Sequence, residues 1–69
     1  MLSDEIIFIV TESPEGGFEA YAVGQSIFTE AETWEDLRDK VKDAVECHFD
    51  KDSPRLIRLH WVRDEVIAA

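Results

Sequence analysis

The chain has 69 residues and carries 16 acidic against 7 basic side chains, a formal net charge of −9. At that length it builds one domain (1–69) with one core, burying only about 60% of the surface its unfolded form exposes. A single cysteine, Cys47, excludes an internal disulfide, and the acidic balance excludes a surface made for nucleic-acid phosphates.

Ile6-Ile7-Phe8-Ile9-Val10 is an unbroken apolar run rich in β-branched residues, which predicts a central strand buried on both faces. Ser13-Pro14-Glu15-Gly16-Gly17 supplies turn chemistry. Proline presets φ, and the paired glycines accept positive φ without a Cβ clash. Phe18, Ala20 and Ala22 then alternate with Glu19, Tyr21 and Val23, so a second strand pairs back on the first as a hairpin. Gly24-Gln25 offers another turn, and residues 26–31 predict a third strand.

Thr33 opens a helix. Thr33 and Asp36 have capping-box spacing, and Glu35 and Asp36 suit the positive end of the helix dipole. Trp34, Leu37, Val41, Ala44, Val45 and His48 recur on one side, with Phe49 at its margin. Glu35, Asp36, Asp39, Lys40, Asp43 and Glu46 take the other, giving an amphipathic helix of about four turns. Asp50-Lys51-Asp52-Ser53-Pro54 stops it. Residues 55–62 predict a fourth strand with Ile57, Leu59 and Trp61 on one face and Arg58 and His60 on the other. The stretch from Arg63 to Ala69 fits either more strand or one helical turn.

The expected fold is therefore α+β, in the order β-β-β-α-β. An antiparallel three-stranded sheet carries one helix on one face, and a right-handed crossover lays the fourth strand parallel beside the first. One helix covers one sheet face, so the apolar residues of strand one and Tyr21 and Val23 of strand two leave a surplus face. A second copy of the chain would cover it, with Tyr21, Val23, Arg58 and His60 as the expected oligomer interface.

Up to Leu37 the sequence holds Asp4, Glu5, Glu12, Glu15, Glu19, Glu30, Glu32, Glu35 and Asp36 and no Lys or Arg, whereas from Arg38 onward acids and bases balance. That asymmetry steers toward a basic partner; the plain alternative is acidity that keeps a small protein soluble. No apolar run approaches the ~20 residues of a membrane span, and no signal peptide opens the sequence, so a cytoplasmic location is expected.

Catalytic chemistry finds little footing. The helix acids lie on a solvated face, and Ile6 to Val10 lack the carboxylates that a two-metal nuclease places on a central strand. Cys47, His48 and His60 with Asp50 or Asp52 match no zinc spacing, and neighbouring Cys47 and His48 point about 100° apart on a helix. The aromatic residues lack the interleaved bases of a nucleic-acid surface, which leaves core packing. Arg55, Arg58 and Arg63 form a basic cluster suited to an anion, to Asp64 and Glu65, or to the acidic half of a second chain. Gly16-Gly17 precedes a strand and so makes no phosphate loop. No cofactor, metal or catalytic residue is expected.

The apolar strand, the acidic Gly-Gly-aromatic hairpin running into Ala20-Tyr21-Ala22, and Glu32-Thr33-Trp34-Glu35-Asp36-Leu37 leading to Val41-Lys42-Asp43-Ala44-Val45 together resemble the HicB-like antitoxin domain. The resemblance spans about Ile6 to Phe49. Gly24-Gln25-Ser26 stands where the family often has Pro-Gly-Cys, and Ala31 where it has glycine. The family's C-terminal DNA-binding module is a further departure, so a short form without it is expected. The resemblance implies a partial RNase H-like fold, which does not itself imply nuclease activity, and no enzyme is expected. It also implies binding to a small basic RNA-cleaving toxin of HicA type, with Glu12, Glu15, Glu19, Glu32, Glu35 and Asp36 as the expected partner-binding residues. The rival expectation is a stand-alone structural or regulatory homo-oligomer of the same fold without a toxin.

Overall fold

The structure, a computed structural model, describes residues 5–49 and 56–69. Its elements are β1 (Glu5–Glu12), β2 (Phe18–Ala22), β3 (Phe28–Ala31), α1 (Trp34–Phe49) and β4 (Leu56–Trp61). They form one four-stranded mixed sheet in the order β3-β2-β1-β4 with the helix on one face, the α+β arrangement the sequence predicts. Asp4, the helix stop at 50–54 and Arg55 lie outside the described residues.

β1 is central, pairing antiparallel with β2 and parallel with β4. It is buried on one face, not two. Ile6, Phe8 and Val10 point under the helix and are buried, whereas Ile7 is exposed and Ile9 half-buried on the opposite face. A single helix cannot cover both sides of a sheet, so strand alternation splits the apolar run.

Local chemistry explains the connections. In the first hairpin the Ser13 amide donates to the Gly17 carbonyl at 2.9 Å and the Gly16 amide to the Ser13 carbonyl at 3.0 Å. Gly16 and Gly17 take φ of 100° and 87°, the left-handed values that a paired glycine turn permits. β3 is shorter than expected, because residues 24–27 form the return. The Ala22 amide donates to the Ile27 carbonyl at 3.0 Å, and Ile27 is buried beneath the helix. At the helix start Thr33 Oγ1 accepts the Asp36 amide at 3.1 Å, the expected N-cap.

The core is Ile6, Phe8, Val10, Ala20, Ala22, Ile27 and Ala31 of the sheet layer against Leu37, Val41 and Val45 of the helix. Each fully buried Val, Leu or Phe side chain contributes about 1.5–3 kcal/mol. The far end of α1 departs from the expected face. Phe49 packs against the core, and His48 is exposed, its ring edge-on to Phe49 with centroids 4.9 Å apart. Solvating the imidazole and burying the phenyl ring is the cheaper arrangement.

The β1/β4 register sets Glu5 opposite Leu56, beside Arg58. The Arg58 guanidinium grips the Glu5 carboxylate in a fork, with Nε–Oε1 2.8 Å and Nη2–Oε2 3.0 Å. That hydrogen bonding holds the Glu5 carboxyl below its usual range and pushes Arg58 further up. A lowered carboxylate adds stability that is present above its unfolded pKa and fades as pH falls through the folded value. Arg58 is largely exposed, so the effect is small. Thermal unfolding of wild type is expected to lose more between about pH 5 and pH 3 than that of Glu5→Gln. Equal losses would remove this pair from the account of acid sensitivity.

Candidate interaction surface

The acidic residues of the first half are gathered by sheet register. Glu12 pairs with Phe18 and Phe18 with Ala31, so the end of β1, the 13–17 turn and the approach to α1 share one end of the sheet. Gly17 sits directly on the backbone there, where an added Cβ would lie 2.6 Å from the Ala31 carbonyl oxygen. Glu12, Glu15, Glu32, Glu35 and Asp36 all surround this end and are exposed.

Glu19 is the exception. It lies on the face of β2 away from the helix, half-buried, directly opposite Glu30 of β3. Two like charges across a strand pair repel, which makes that corner a separate negative spot rather than part of the same end.

The acidic end is floored by aromatics. Phe18, Trp34 and Trp61 meet with centroid separations of 5.0–5.7 Å: Phe18 stands edge-on to both indoles, and the two indoles are tilted by 33°. Arg63 follows directly, its guanidinium 5.2 Å from the Trp61 ring and its Nε 3.3 Å from Glu12 Oε2. Two of the expected basic cluster, Arg58 and Arg63, thus meet acids of their own chain, not Asp64 or Glu65. This trio and the Glu12–Arg63 contact escape a sequence reading. The end-of-strand positions of Phe18 and Trp61 were the available signal, and the parallel β1/β4 register was needed to use it.

The face opposite the helix is open. A row runs His60–Ile9–Tyr21–Phe28 across all four strands, with Arg58 beside Ile7 in the next row. Tyr21, Val23 and Phe28 are 50%, 55% and 59% exposed, and Arg58 and His60 are exposed as well. The expected interface residues therefore do share one surface.

On the other face, α1 lies mainly over β3 and β2, while Ile57 and Leu59 of β4 are half-buried against the edge of the core. Between α1 and β4 runs a cleft of ≈ 230 Å3 lined by Arg38, Val41, Lys42, Ile57 and Leu59. Cys47 is exposed, and among the described residues no three His, Cys, Asp or Glu side chains converge as metal ligands would. Among the same residues no helix is long and apolar enough to cross a membrane.

These features define a small α+β domain with an acidic, aromatic end and an uncovered sheet face. The chain belongs to the UPF0150 family. It is 45% identical over 64 residues to a UPF0150 protein of Thermotoga maritima, covering 93% of this chain and 91% of that relative. It is 50% identical over 54 residues to a UPF0150 protein of Archaeoglobus fulgidus, covering 77% and 80% respectively. No family profile matches the chain, and comparison with solved structures finds no match.

Proposed function

We propose that this protein is a non-catalytic, cytoplasmic interaction module resembling HicB antitoxins, which neutralises a small basic RNA-cleaving toxin of HicA type by occlusion. The observation that carries the reading is the convergence of Glu12, Glu15, Glu32, Glu35 and Asp36 on one end of the sheet, around Phe18, Trp34 and Trp61. A toxin that grips RNA presents Lys and Arg to phosphates; carboxylates fixed at this end compete for the same cations. The aromatic floor adds ring faces on which arginine stacks, as Arg63 of the chain itself does on Trp61. Glu19 plays a peripheral part, since it faces the other side of the sheet.

The test is binding of a basic HicA-type toxin measured at low and high salt. Affinity is expected to fall with salt, and Glu15→Lys with Glu32→Lys to weaken binding at least about tenfold while circular dichroism is unchanged. Absent binding, or binding indifferent to salt and to both reversals, would favour the second reading. That reading is a stand-alone homo-oligomer of the same fold, and the exposed Tyr21, Val23 and Phe28 favour it.

A further inference from the structure

The cleft beside β4 and the segment after β4 are complementary. The cleft has an apolar floor of Val41, Ile57 and Leu59 and a basic rim of Arg38 and Lys42. Among the described residues neither rim base takes an acidic side chain within ion-pair distance. Beyond β4 the chain reads Asp64-Glu65-Val66-Ile67, an acidic pair followed by a branched apolar pair. Val66 and Ile67 are 95% and 78% exposed, in a segment that forms no helix or strand. An apolar pair left in water outside any helix or strand is surface that another chain can cover.

The occupant is constrained by the path of the backbone. The Val62 amide donates to the Val10 carbonyl at 2.8 Å, so the chain holds the β4 direction beyond Trp61. Arg63 is then held against Glu12 and Trp61 at the top of the sheet. To enter its own cleft the chain would have to reverse immediately afterwards, and residues 62–69 offer Asp64 as a turn former but no Gly or Pro, with Arg63 beside it already held on Glu12 and Trp61. Extended, the six residues after Arg63 reach about 20 Å, enough to cross a neighbour's strand. β4 is also an outer strand of the sheet, with no strand among the described residues paired along its free side.

We propose that residues 64–69 of one copy lie in the α1/β4 cleft of a second copy, exchanged reciprocally about a two-fold axis. Val66 and Ile67 cover Val41, Ile57 and Leu59, while Asp64 and Glu65 meet Arg38 and Lys42. Each copy offers one segment and one cleft, and reciprocal exchange between two copies is the smallest closed assembly that fills both, where a head-to-tail arrangement would give larger rings or filaments. The exchange does not rest on the toxin reading, since the cleft and the 64–69 segment lie outside the acidic residues assigned to that partner, and Glu12 enters only as the anchor of Arg63.

Mass in solution tests it, by light scattering across a concentration series of the full chain. Wild type is expected to be dimeric. Val66→Asp with Ile67→Asp, and separately Arg38→Glu with Lys42→Glu, are expected to raise the dimer dissociation constant at least about tenfold. All four positions are either exposed or on the cleft rim, and circular dichroism should confirm that the variants fold. Adding Asp64→Lys and Glu65→Lys to the Arg38→Glu, Lys42→Glu variant should restore the dimer. A wild type that stays monomeric throughout overturns the proposal. So does a dimer unmoved by the Val66 and Ile67 substitutions, which would place the interface on the Tyr21 and Phe28 face.

Discussion

Gly17→Ala is expected to cost roughly 3 kcal/mol, most of the stability that a domain of this size commands. Two penalties add. Gly17 holds φ of 87°, where a side chain is strained, and its Cβ would lie 2.6 Å from the Ala31 carbonyl oxygen and 3.1 Å from the Glu32 Cα. Both neighbours are backbone, so relief means moving the hairpin away from the start of α1. Gly16→Ala is the control, because its φ of 100° imposes the strain but nothing lies within 4 Å. It should cost about 1 kcal/mol. Urea midpoints of the two variants separate the contributions; equal midpoints would mean that the close approach does not matter. The acidic end is assembled at this same contact, so under the proposed function loosening it should also weaken binding of a basic partner.

Phe8→Ala is expected to leave the chain unfolded at 25 °C. Phe8 is fully buried at the centre of β1, between Ala22 and Leu59, beneath the helix. Truncating a buried phenylalanine costs about 3–5 kcal/mol, which matches the whole stability of a small single core. Ile7→Ala, one residue away on the open face, should cost less than about 1 kcal/mol in the isolated chain. Circular dichroism with urea titration checks both. A folded Phe8→Ala variant, or comparable losses at the two positions, would show that the apolar run is not divided between faces as described.

That division illustrates how far the sequence could be read. Ile6 to Val10 announced a central strand correctly, yet their hydropathy is uniform and does not say which alternate residues meet a helix. Thr33 and Asp36 declared the cap, and the paired glycines the turn, because each signal depends on residues within four positions of one another. The faces of β4 were legible for the same reason, with Ile57 and Leu59 inward and Arg58 and His60 outward. His48 and Phe49 were not, since neighbours at a helix margin are sorted by what the sheet offers them.

The six expected acidic residues show the same boundary. Their charge was plain in composition, but five of them form one end only because Phe18 pairs with both Glu12 and Ala31. Glu19 parts from the rest through the two-residue alternation of β2.

By itself the sequence determined the elements, their order and the sign of the surface. Those rest on spacings of two to four residues, turn chemistry and a count of charges. Only the tertiary structure decided that Glu5 meets Arg58 and that Glu12 meets Arg63 over Trp61. It likewise left a cleft between α1 and β4, lined by Arg38, Val41, Lys42, Ile57 and Leu59. Those outcomes hang on the parallel register of β1 and β4 across an intervening helix, and no local pattern specifies a pairing so distant along the chain.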